Sequence, residues 1–185
     1  MNALLSQPQP PVVTAERFIL RPLKTSDAGL IAQYMSDRRL AEGTRSIPHP
    51  LPPGAAEAYV KRALSDARVE DVWAIDGSDH QLTELLGIVS LTRLEHGHSE
   101  LQFWVGPGFW NTGFASEAVA ALVAANPQGA DTLCAEVFQD NPGSARVLTN
   151  CGFDYLGDAE SWSVARGARV PTWTYVRRMK PGARK

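Results

Sequence analysis

Glu100, Gln102 and Trp104 alternate along the run Ser99 to Val105, which ends in Gly106-Pro107-Gly108. A period of two puts these three on one face of a strand and Leu101, Phe103 and Val105 on the other. A carboxylate leading that face can accept a proton from an attacking nucleophile, directly or through a water. The loop that follows passes through Trp110, Asn111, Thr112 and Gly113 into an Ala-rich segment with helical spacing. Gly113 leaves room for a ligand against bare backbone, and the first amides of a helix have no acceptor within it. An anion placed there gains those hydrogen bonds and the positive end of the helix dipole. The loop therefore reads as a diphosphate cradle, with a plain turn as the competing reading. No Gly-Lys-Ser/Thr follows it, and no Lys lies between Lys61 and Lys180, which excludes a Walker loop. The G-x-G-x-x-G order of a dinucleotide site is also absent.

Other residue types that could do chemistry carry less. Glu136 is a second candidate base in the middle of a strand, and Glu117 suits the first turn of a helix as a dipole partner. His96 and His98 fall in a polar hairpin with no third ligand in reach, so no metal site is expected. Cys134 and Cys151 have neither disulfide-framework nor metal spacing and are expected to be reduced.

These groups must be positioned by a fold. A chain of 185 residues with 44% hydrophobic content suits one domain with a single sizeable core. The formal net charge of −2 argues against nucleic acid as a partner. The longest apolar stretch, Ala118 to Ala125, is too short to cross a bilayer, and the opening residues lack a signal-peptide pattern, so a cytoplasmic protein is expected. Residues 1–13 read as a flexible tail, 14–180 as one domain and 181–185 as a basic tail. Within the domain, Thr14 to Leu23 reads as a strand, and Leu30, Ile31, Tyr34 and Met35 mark one face of a helix. Residues 38–53 are irregular, and Gly54 to Val69 reads as a second helix. Three strands follow before the loop, the third ending at Val105. After the loop come a helix with Phe114, Ala118, Leu122 and Ala125 as its inner stripe, then a strand from Leu133 to Phe138. Pro142 in a first turn makes Asn141 a helix cap, and strands at Phe153 to Leu156 and Trp173 to Met179 close the sheet. The class is mixed α/β: a mostly antiparallel twisted sheet of about six to seven strands with about four helices. Its exposed edges make a homodimer an expectation.

Two stretches, ELQFWVGPGFWNTGFASEA and NPGSARVLTNCGF, together resemble the signatures of the GNAT N-acetyltransferases, most closely the RimJ/RimL-like subgroup. The opening ERFILRPLKTSD and the Pro-rich segment before the second helix are similar to that subgroup as well, so the resemblance spans about residues 14 to 180. It implies a fold with splayed central strands, acetyl-CoA as acetyl donor, no metal, and an amine acceptor that is a protein N-terminus or a small molecule. A non-catalytic acyl-CoA-binding module of the same fold is the alternative. It further implies that backbone amides of Trp110, Asn111, Thr112, Gly113, Phe114 and Ala115 hold the pyrophosphate. Phe103, Trp104 and Val105 would meet the pantetheine arm and thioester oxygen. Asn141 would orient the donor, and Ser144 would protonate the CoA sulfur, with Glu100 as the base. Asn111 and Thr112 stand where the subgroup carries Gly-Lys or Gly-Arg, so a cation near the phosphates is expected to be lost. Tyr155 comes too late in the chain to serve as the acid. His49 lies where the subgroup lines its acceptor pocket, and Arg146 is a candidate phosphate contact.

Overall fold

The structure, a computed structural model, describes residues 8–179; the outer parts of both expected tails, 1–7 and 180–185, lie outside the described residues. The sheet has eight strands in the order β1-β2-β3-β4-β5-β6-β8-β7. They are β1 (Val13–Thr14), β2 (Ile19–Pro22), β3 (Glu70–Asp76), β4 (Gly87–Arg93), β5 (His98–Val105), β6 (Thr132–Phe138), β7 (Asp154–Ser163) and β8 (Ala168–Arg178). The helices are α1 (Ala28–Met35), α2 (Arg38–Glu42), α3 (Ala55–Ala63), α4 (Phe114–Ala125) and α5 (Pro142–Asn150). No helix among the described residues is long and apolar enough to cross a membrane.

β3 explains why both faces are covered. Nearly every residue of EDVWAID is buried, the pattern of a strand with layers on either side. Trp73 and Ile75 enter a core roofed by Phe114, Ala118 and Leu122 of α4 and Leu148 of α5. Val72 and Ala74 enter a second core with Ile31 and Met35 of α1 and Val60 of α3. Ala125 does not join the stripe expected of α4; it is exposed, and Val119 and Val123 take the buried positions.

All neighbouring strands are antiparallel except β5 and β6, which pair in parallel only over His98 to Glu100 against Thr132 to Cys134. Beyond Glu100 the two strands part, while β5 stays paired to β4 through Val105. The fold thus opens a gap beside Leu101 to Val105.

Four local readings differ from the sequence expectation. The first strand divides into β1 and β2, and α3 stops at Ala63, six residues short of Val69. Residues 38–53 include the five-residue helix α2, capped by the Asp37 carboxylate on the Arg39 amide. Within the expected tail, Pro8 and Pro11 are held by side chains of the body: the Trp73 indole donates to the Pro11 carbonyl at 2.8 Å, and Arg68 donates to the Pro8 carbonyl.

Candidate active site

Gly106 opens a short turn over Pro107–Phe109, and the chain then reverses through Asn111 and Gly113, both at positive φ (61° and 82°). Gly113 caps α4 in the left-handed conformation, so its backbone, not a side chain, meets what lies in front of the helix. The Glu117 amide starts the helical ladder by donating to the Gly113 carbonyl, and the Phe114 amide reaches the Thr112 hydroxyl at 3.5 Å. The amides of Ala115 and Ser116 come before any helical acceptor. Thr112 closes the turn by donating from Oγ1 to the Phe109 carbonyl. Below the loop, Tyr34 stands edge-on to Trp104 and Phe109, and Phe109 edge-on to Phe114. This aromatic stack gives the cradle a rigid floor.

The loop borders a cavity of about 750 Å³ whose wall includes Trp110, Asn111, Gly113, Phe114, Ala115 and Ser116. Its volume suits a cofactor-sized ligand. A second cavity of about 490 Å³ lies against α3, the 43–48 segment and the parting strands. The two share Gly43, Thr44, Phe103, Trp104 and Ser144.

At that junction the strand register sorts the backbone. The Gly106 amide donates to Leu86 on the β4 side, so alternation turns Trp104 the same way and leaves Phe103 and Val105 facing the gap. The Val105 carbonyl is taken by the Trp110 indole at 2.8 Å. The amides of Phe103 and Val105 can therefore donate to a ligand, whereas Trp104 contributes its side chain to both cavity walls.

Asn141 caps α5, accepting from the Ser144 amide at 3.2 Å and donating to the Gly43 carbonyl at 3.5 Å. Ser144 Oγ makes no hydrogen bond among the described residues and lies where the cavities meet. Glu100 borders neither cavity and is paired: Arg45, which lines the smaller cavity, donates from Nη2 to its Oε1 and from Nη1 to Glu136 Oε2 at 3.0 Å. The other Glu136 oxygen accepts from Ser161 at 2.6 Å and Thr172 at 2.5 Å, so Glu136 is held on three sides and is poorly placed to take a proton.

Cations border the first cavity from outside the loop, Arg39 among them although it is paired with Asp37 at 2.7 Å. Arg39 of α2 stands 5.3 Å from the Trp110 ring, and Arg39 and Arg146 both line the first cavity. Arg17 sits behind the loop, donating to the Thr112 carbonyl at 3.1 Å and pairing with Glu117 at 2.6 Å. Sequence reasoning missed Arg39 and Arg45, which sit in or beside an irregular stretch and reach the site only through tertiary contacts.

The remaining candidates lie elsewhere. Tyr155 is 56% exposed on β7 and donates to Asp158. His49 borders neither cavity, and its Nδ1 is buried without a hydrogen-bond partner among the described residues. Burial pushes both thiols up, with the Glu100 charge adding at Cys134, so neither is a ready nucleophile. Among the described residues no group of three or more His, Cys, Asp or Glu could hold a metal ion.

Residues 17–154 match the family model described as the acetyltransferase (GNAT) domain. An uncharacterized N-acetyltransferase of Bacillus subtilis (strain 168), YoaA, is 26% identical over 174 residues, covering 89% of this chain and 95% of that one. RimJ of Mycobacterium smegmatis, solved with a CoA disulfide, superposes with a TM-score of 0.78 at 17% identity over 95% of this chain and 91% of that one. RimL, a ribosomal L7/L12 alpha-N-protein acetyltransferase solved with coenzyme A, gives 0.78 at 16% identity over 92% and 99%. At those identities the two structures speak for the fold.

Proposed function

This chain belongs to the GNAT acetyltransferase family, and we propose that it passes an acetyl group from acetyl-CoA to a protein amino terminus by direct attack. One observation carries the reading. A cavity edged by helix-start amides meets a second cavity at a point where two backbone amides and a free hydroxyl converge. In this reading the donor lies in the larger cavity with its diphosphate on the loop and Arg39 and Arg146 alongside. The thioester oxygen accepts from the amide of Phe103 or Val105, fixed donors that stabilise the charge formed on attack. The acceptor enters from the smaller cavity, Glu100 takes its proton directly or through a water, and Ser144 Oγ protonates the departing CoA sulfur. No covalent enzyme intermediate is needed. A carboxylate is a mild base, and a mild base suits an amino terminus of pKa about 8 better than a lysine of about 10.4. RimL, a ribosomal L7/L12 alpha-N-protein acetyltransferase alike in fold, supports the same acceptor class.

Mass spectrometry after incubating cell extract with the protein and labelled acetyl-CoA tests this. Label on α-amino groups is the expected result. Label confined to lysine side chains or to small amines overturns the acceptor, and no CoA release with any amine leaves a non-catalytic CoA-binding module.

The loop has its own test in Gly113→Val. Gly113 borders the cavity, a Cβ on it would meet Arg17 Nη2 at 3.4 Å, and a β-branched residue there is forced to φ 82°. Such a conformation costs about 1–3 kcal/mol, and relieving it re-aims the loop amides. Calorimetry should show CoA affinity lowered by about tenfold or more; unchanged affinity would count against the cradle.

A further inference from the structure

Residues 42–45 form the wall between the two cavities, and besides bonds back to residues 38–41 they are held by partners from later in the chain. The Glu42 carbonyl accepts from Arg166 at 3.0 and 2.6 Å, and Arg166 also grips Asp140, the residue before the α5 cap. The Gly43 carbonyl accepts from Asn141, and the Arg45 carbonyl accepts from the Val164 amide at 3.0 Å. The Arg45 guanidinium then spans the parting strands to Glu100 on β5 and Glu136 on β6. One cation thus joins two carboxylates at the point where β5 and β6 stop pairing.

We propose that Arg45 is a positioning residue for the transfer reaction, holding one oxygen of Glu100 so that the other faces the incoming amine. The arrangement supports this division of labour. Glu136 is immobilised by Ser161, Thr172 and Arg45 together, so it anchors the arginine. Glu100 has Arg45 alone among the described residues, and its Oε2 accepts no hydrogen bond from them. The charged and titratable groups around Glu100 are Arg45 from the wall segment, Glu136 and Cys134 from β6, His98 on its own strand, and Glu70 two strands away across Thr92. Arg45 is the one permanent cation in that set. Without it, Glu100 and Glu136 are like-charged neighbours with no cation between them.

The inference rests on the acetyl-transfer reading, and its test has an arm that does not. Arg45→Met should lower kcat about tenfold with the KM for acetyl-CoA nearly unchanged. Arg45→Lys, which restores a cation, should recover most of the lost kcat. In the second arm, crystal structures of the parent protein, Arg45→Met and Arg45→Lys are compared, and the Glu100 carboxylate should leave its position in Arg45→Met alone. A Glu100 carboxylate that keeps its position in Arg45→Met overturns the proposal, as does a displaced carboxylate with an unchanged kcat. A parent protein inactive on every amine overturns the acetyl-transfer reading, and the crystal structures still decide whether Arg45 places Glu100.

Discussion

Replacing Ser144 by alanine is expected to lower kcat about a hundredfold, the smaller end of what a positioned general acid contributes. The variant isolates chemistry from folding unusually well. Asn141 caps the helix through the Ser144 amide, which alanine keeps, and the hydroxyl bonds to nothing else among the described residues. Thermal stability and CoA affinity should therefore match the parent, and only the breakdown of the thioester should slow. Steady-state kinetics with a thiol-release readout, paired with calorimetry for CoA, makes the comparison. A donor ester with a more acidic leaving thiol needs less help from an acid, so the penalty should shrink with it. Full activity in Ser144→Ala would remove the hydroxyl from the mechanism.

What the sequence makes legible follows the distance over which the chain must be read. The cradle is local: strand, loop and helix start lie within residues 99–125, and Gly113 sits where a left-handed cap is needed. Asn141 and Pro142 announce α5 for the same reason. Arg45 was illegible because its role is made by partners 55 and 91 residues away, in a segment with no hydrophobic period. The length of β7 was hidden differently. Nearly all of its residues are exposed, so no buried alternation marks it, and it is held by its ladder to β8 over Asp154 to Ser163. The loop itself carries no cation, and Arg39 of α2 reaches the Trp110 ring only through the fold, which the loop's own residues do not announce. Parallel pairing of β5 with β6 left no mark on either strand alone, yet it sets where the gap opens.

Exchanging Arg21 for methionine should be the most destabilising single change at a position outside the cavities. Arg21 is buried and bridges two acids, donating to both oxygens of Asp27 at 2.8 and 2.9 Å and to Asp76. Asp27 is fully buried and also accepts from the Lys24 amide, which closes the 3-10 turn Thr25–Asp27 that leads into α1. Burial alone would lower the Arg21 pKa, but the two carboxylates outweigh it and hold it above the usual arginine value. Burial likewise opposes the charge on Asp76, yet Arg21 and Ser78 prevail and hold its carboxyl below the ordinary range. Removing one partner of a buried ion pair costs about 3–5 kcal/mol, which for a domain of this size lowers Tm by roughly 6 to 20 °C. The pH dependence has a definite sign. A depressed carboxyl contributes stability that is present above its unfolded value of about 3.9 and is lost as pH falls through the lower folded value. The parent protein should therefore lose that contribution below about pH 4. In Arg21→Met the stranded Asp76 carboxylate is relieved by protonation instead, so the gap between variant and parent should narrow as pH falls from 7 toward 4. Denaturant unfolding at several pH values measures it, and a gap that stays constant would assign the loss to packing rather than charge. Because α1 carries Tyr34 under the cradle, the variant should also bind CoA more weakly at temperatures where it remains folded.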